Sequence, residues 1–134
     1  MRDGYARQID YLRISVTDRC NLRCVYCMPA DGLELCEHEE MLSYEEIIAV
    51  VAAAAELGVR KIRLTGGEPL VRLDLCDLVA ELSHVRGVED LSLSTNGVLL
   101  RDHATVLKAA GLRRVNVSLD SLRPDRYRRI TRLG

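Results

Sequence analysis

Four times along the chain a short stretch of alternating apolar and polar residues ends in a polar or glycine-bearing turn and gives way to a helical pattern. This repeat constrains the fold more than any other feature of the sequence. The stretches are Tyr11–Thr17, Lys61–Thr65, Leu91–Thr95 and Arg114–Asp120. Each reads as a strand of strict period two. Leu12/Ile14/Val16, Ile62/Leu64, Leu91/Leu93 and Val115/Val117/Leu119 fall on one side, and Arg13/Ser15/Thr17, Arg63/Thr65, Ser92/Ser94 and Asn116/Ser118/Asp120 on the other. A capping box, Ser43 with Glu46 three residues on, opens the first helix, and Gly58 should stop it in the left-handed C′ position. Leu75, Leu78, Val79 and Leu82 space a second helix near Asp74 to Leu82, a third runs through Val106, Leu107 and Ala110 to Gly111, and Pro124 suits the first turn of a fourth. Alternating strands and helices imply right-handed parallel crossovers. In a doubly wound sheet the strands would be apolar on both faces. One polar face per strand instead predicts an α/β fold of the partial TIM-barrel type, about four β/α units of an incomplete parallel barrel with helices outside and a polar lumen.

Active sites of such barrels lie at the C-terminal ends of the strands. There the chain carries Gly66-Gly67-Glu68-Pro69, Asn96-Gly97, Asp120-Ser121 and, after the first strand, Cys20-x3-Cys24-x2-Cys27. Three crowded thiolates can grip a metal, yet they are one ligand short of a closed tetrahedral site, so a fourth position is filled from elsewhere or left open for a reactant. The bland reading is structural zinc with His38 or Cys36 as fourth ligand. The odd count of five cysteines suits a reducing cytosol and metal ligation better than a disulfide framework. Cys76 sits on a helical apolar stripe and reads as a small buried hydrophobe, and His84 and His103 have no company suggesting catalysis. A formal net charge of −1 gives no electrostatic reason to expect nucleic acid or membrane. No signal-like segment follows Met1, and the apolar run Ile47–Ala55 is broken at once by Glu56 and Gly58, far below membrane-spanning length. At 134 residues the chain is one domain's worth, short for a full barrel.

The cysteine motif with Tyr26 inside it, followed by Gly66-Gly67-Glu68-Pro69 after the next strand, resembles the radical S-adenosylmethionine (SAM) superfamily. Within it, Leu12–Asp18, Arg63–Pro69, Thr95-Asn96-Gly97 and Asn116–Leu122 are similar to the GTP 3′,8-cyclase family of molybdenum cofactor biosynthesis. The resemblance implies that Cys20, Cys24 and Cys27 bind three irons of a [4Fe-4S] cluster, with SAM on the fourth. It places Tyr26, Gly66, Gly67, Glu68, Pro69 and Ser118 at the SAM site, and Arg13, Arg63 and Ser94 against GTP. Ser94 departs from the usual threonine but keeps the hydroxyl. It further implies a lyase in which a 5′-deoxyadenosyl radical removes hydrogen from C3′ of GTP, leading to the 3′,8-cyclo product. An electron donor such as flavodoxin or ferredoxin, a cytoplasmic location and a homodimer of the full-length protein belong to the same expectation. Members of that family carry a second, C-terminal cluster that has no counterpart here. Residues 1–134 therefore read as the N-terminal part of a radical SAM core domain, truncated and inactive alone in cyclisation. Another radical SAM enzyme, such as a peptide-modifying oxidoreductase, or a non-catalytic zinc module would share part of the pattern.

Overall fold

The computed structural model describes residues 2–37 and 40–133, so His38 lies outside the described residues. Four strands, β1 (Tyr11–Ser15), β2 (Lys61–Thr65), β3 (Asp90–Thr95) and β4 (Arg114–Val117), alternate with four helices, α1 (Tyr44–Glu56), α2 (Leu75–His84), α3 (Leu100–Ala109) and α4 (Pro124–Thr131). The sheet is wholly parallel in the order β1-β2-β3-β4. Strand order that follows chain order, with no reversal, is the winding of a barrel rather than of a doubly wound sheet. The expected partial barrel is therefore the fold.

Local chemistry explains the element ends. Ser43 accepts from the Glu46 amide while the Glu46 carboxylate accepts from the Ser43 amide, closing the capping box at the start of α1. Gly58 and Gly111 follow α1 and α3 with φ of +99° each, which a β-carbon would strain. The register pairs Leu64 with Leu93 and Ile62 with Leu91. These four, with Ile47, Val51, Leu78, Val79, Leu82 and Leu107, form one buried aliphatic core between the sheet and α1–α3. Leu64 is completely buried. Leu64→Ala is expected to lower the unfolding free energy by about 2–5 kcal/mol, read as a fall in the urea midpoint. A loss below about 1 kcal/mol would mean that this layer is not the core.

Two expectations change. Val115, Val117 and Leu119 should lie under helices, yet they are 38%, 52% and 53% exposed. The reason is that the last turn of α4 pairs with the cysteine loop, where the Arg23 amide donates to Thr131 and the Val25 amide to Ile130, leaving β4 as an uncovered edge. Ser92, expected on an open lumen face, is buried. Its hydroxyl donates to the Ile62 carbonyl at 3.1 Å and accepts from Arg63 Nε at 3.4 Å. Cys76 packs, partly buried, against the core as expected. Among the described residues no helix is long and apolar enough to cross a membrane.

Candidate functional site

The cysteine loop is fixed at its root by the strand-end glycines. Beyond β1 and β2 the two chains stay paired: the Val16 amide donates to Thr65 at 2.8 Å, Gly67 to Thr17 at 2.6 Å and Glu68 to Arg19 at 2.8 Å. So close an approach leaves no room for side chains. A β-carbon on Gly66 would stand 2.5 Å from the Thr17 carbonyl oxygen, and one on Gly67 would collide with the carbonyls of Asp18 and Arg19. The glycines are thus required by the backbone that leads into Cys20. Either φ is unexceptional, so the need is for space and not for a left-handed conformation.

Within the loop, Leu22 is buried and anchors the chain, and its amide approaches Cys20 Sγ at 3.4 Å. The Arg23 guanidinium donates to the carbonyls of Cys20 and Leu22. The amides of Cys27 and Met28 both turn back to the Cys24 carbonyl. Arg132 donates to the Met28 carbonyl at 3.0 Å, adding a second contact from beyond α4. Asn21 accepts from Asn96 Nδ2 at 2.7 Å, tying the loop to the end of β3.

Glu68 is 1% exposed, and all its acceptor capacity is directed inward. Its Oε1 takes the Leu70 amide and the Thr95 hydroxyl, and its Oε2 takes the Asn96 amide at 2.7 Å. Pro69, also buried, starts a single 3-10 turn through Val71. Glu68 therefore ties the root of the loop to the end of β3. Sequence reasoning gave no role to Asn21, Thr131 or Arg132, and placed Thr95 and Asn96 in a strand-end motif without their bracing contacts. Asn21 and Asn96 meet across 75 positions, and Arg132 reaches back 104 and 109 positions to Met28 and Arg23, so no local spacing signals these contacts.

These contacts enclose a cavity of about 160 Å³ lined by Cys20, Cys24, Cys27 and Tyr26 from the loop, Gly67 and Glu68, and Ser94 and Ser118 from the β3 and β4 ends. Thr65 and Asn96 also reach it. Arg13 and Arg63 do not line it. They pair directly in register one step below Ser15 and Thr65 on the same face, and the Arg63 guanidinium lies over the Tyr11 ring at 5.5 Å. Cys36 lines a separate pocket and is tied through its amide to Asp18. Among the described residues no three His, Cys, Asp or Glu side chains converge on one metal-ion position. The three thiols that line the cavity are the donor type that an iron–sulfur cluster takes.

Electrostatics at the rim follow from the same packing. Tyr26 donates to both Asp120 oxygens at 3.1 Å, so burial and then the carboxylate push its phenol up. Partial burial raises the Cys24 thiol, with Asp120, Cys20 and Cys27 adding to it and the Tyr26 hydroxyl opposing. All five thiols are free, so none is consumed in a disulfide.

The profile described as the Radical SAM superfamily matches residues 14–134. The chain is 57% identical over 134 residues to the GTP 3′,8-cyclase of Petrotoga mobilis and 62% identical to that of Pelotomaculum thermopropionicum. All of this chain is matched, but it spans only 42% and 41% of those relatives. Among solved structures, Streptococcus suis SuiB bound to the precursor peptide SuiA resembles it with a TM-score of 0.72 at 18% identity, over 92% of this chain and 27% of that one. BtrN in complex with AdoMet and 2-DOIA gives 0.64 at 19% identity, over 83% and 46%. At such identities these two speak for the fold alone.

Proposed function

The chain belongs to the radical SAM superfamily, and from that premise we propose that Cys20, Cys24 and Cys27 hold a [4Fe-4S] cluster beside SAM, as the N-terminal part of a GTP 3′,8-cyclase. The observation that carries this reading is the single cavity onto which the three cysteines, Tyr26, Gly67, Ser94 and Ser118 all open. When bound, the cluster supplies the electron for reductive cleavage of SAM. This chain's own residues do the rest. The paired backbones of Thr17–Arg19 and Gly67–Glu68 set where Cys20 emerges. The Asn21–Asn96 and Tyr26–Asp120 hydrogen bonds hold the loop over the strand ends. Ser94 and Ser118 offer hydroxyls from neighbouring strands. Below them, Arg13 and Arg63 give two permanent cations side by side, suited to bidentate contacts with a triphosphate. We further propose a cytoplasmic protein that takes its electron from a separate carrier, with cyclisation completed in a protein of the relatives' length.

Two measurements separate the superfamily reading from the substrate reading. The reconstituted chain with SAM and dithionite should release 5′-deoxyadenosine, and Cys24→Ala should abolish it. GTP should be retained in equilibrium dialysis, and Arg13→Ala or Arg63→Ala should weaken that by about tenfold, the cost of one charged hydrogen-bonding group. Deoxyadenosine release with no GTP retention would keep the superfamily chemistry and discard GTP in favour of another substrate, such as a peptide.

A further inference from the structure

The segment Arg123–Arg132 holds five arginines against one aspartate, a net of +4 in a chain whose formal net charge is −1. Helix α4 turns this run into a one-sided surface. Tyr127, Ile130 and Thr131 face inward, and Thr131 is fully buried, whereas Arg126, Arg128 and Arg129 point outward and are exposed. Asp125 lies 3.5 Å from Arg123 and 3.7 Å from Arg129, long separations between exposed groups. Among the described residues Arg126 and Arg128 have no carboxylate within ion-pair distance. No residue of α4 lines the cavity, so this charge serves something outside it.

Its position is specific. The last turn of the helix is hydrogen-bonded to the loop between Cys20 and Cys27, through Thr131 to the Arg23 amide and Ile130 to the Val25 amide, each at 2.9 Å. Val25, between two of the cysteines, is half exposed beside it. If the cluster is held as proposed above, an external electron must cross the protein surface close to these thiols. We propose that the outer arginine face of α4, with Val25 at its border, is the docking surface for an acidic one-electron carrier protein. The carrier gives up one electron and is oxidised, the cluster accepts it and is reduced, and no bond or proton is exchanged at the interface. Redox encounters of this kind use small, wet interfaces steered by complementary charge, which the exposed guanidinium groups of Arg126 and Arg128, beside the weakly paired Arg129, supply.

The test uses an acidic FMN-bearing carrier protein. Its binding to the cluster-free chain is measured by calorimetry at low and at 0.3 M salt, and the rate of cluster bleaching after reconstitution is measured with the reduced carrier and with dithionite. Arg126→Glu/Arg128→Glu is expected to weaken binding at least tenfold at low salt and to slow carrier-driven bleaching in proportion, with the dithionite rate within twofold of the parent. Arg126→Lys/Arg128→Lys, which keeps the charge, should bind within threefold, and Arg101→Glu on α3 should change nothing. Binding that is indifferent to salt and to the Glu substitutions would overturn the proposal. Because the calorimetric arm needs no cluster, failure to assemble one would count against the cofactor reading and leave the docking result readable.

Discussion

Gly67→Ala is expected to strip the chain of its iron while leaving the sheet folded. The new β-carbon would stand 2.6 Å from the Asp18 carbonyl oxygen and closer still to that of Arg19, and both obstacles are backbone. Neither can swing aside as a flexible side chain would. Relief must come from pulling residues 17–19 away from 66–68, which breaks the Gly67–Thr17 and Glu68–Arg19 hydrogen bonds and displaces Cys20. Overpacking of this severity costs about 3 kcal/mol, and charged to the loop it weakens cluster retention by about a hundredfold. Iron per chain after anaerobic reconstitution should therefore fall to background, with far-ultraviolet circular dichroism unchanged. Gly4→Ala, where nothing stands within 4 Å, is the matched control and should be silent. Parental iron content in Gly67→Ala would show that the glycine's openness has no part in placing the cysteines.

Replacing Glu68 should unfold the site from behind. In Glu68→Ala the Leu70 amide, the Asn96 amide and the Thr95 hydroxyl lose their acceptor in a buried place. At about 1–3 kcal/mol for each of the two amides, and with Thr95 free to turn elsewhere, a loss of about 2–6 kcal/mol follows. That is a large fraction of the roughly 5–15 kcal/mol available to a domain. Glu68→Gln is milder but not neutral. Its amide must point either at the Asn96 amide or at the Leu70 amide, so one donor faces another, and a loss of about 1–3 kcal/mol is expected. Urea unfolding measures both, and near-parental midpoints would mean that Glu68 does not brace the loop.

Much of this was legible in the sequence, for reasons that particular residues make plain. The period-two pattern of Ile62–Arg63–Leu64–Thr65 and its counterparts reports burial on one face, and burial decides strand orientation in a parallel sheet. The capping box and the C′ glycines are local chemistry, complete within four residues. Ser94, Ser118 and Gly67 reach one cavity with the three cysteines because all of them sit at strand ends or on the loops that follow, where strand polarity alone would place them. What the sequence hid is the bracing. Glu68 and Pro69 are both buried, and Glu68, which lines the cavity, also engages the Leu70 and Asn96 amides and the Thr95 hydroxyl. Glu68 turns its carboxylate inward to β3. The apolar parity of Val115, Val117 and Leu119 promised a helix cover that α4 does not provide, since its last two carbonyls go to Arg23 and Val25. Pairings across such sequence distances are decided by where the chain returns in space, which no local spacing encodes.

The central claim is that Cys20, Cys24 and Cys27 hold a cluster with one iron left for SAM. Anaerobic reconstitution followed by iron and acid-labile sulfide analysis, with electron paramagnetic resonance of the dithionite-reduced protein before and after SAM, tests it most directly. The expected result is about four irons and four sulfides per chain, a signal that shifts on adding SAM, and loss of both in Cys20→Ala, Cys24→Ala and Cys27→Ala alike. A single zinc per chain without sulfide, or a cluster whose signal ignores SAM, would contradict it.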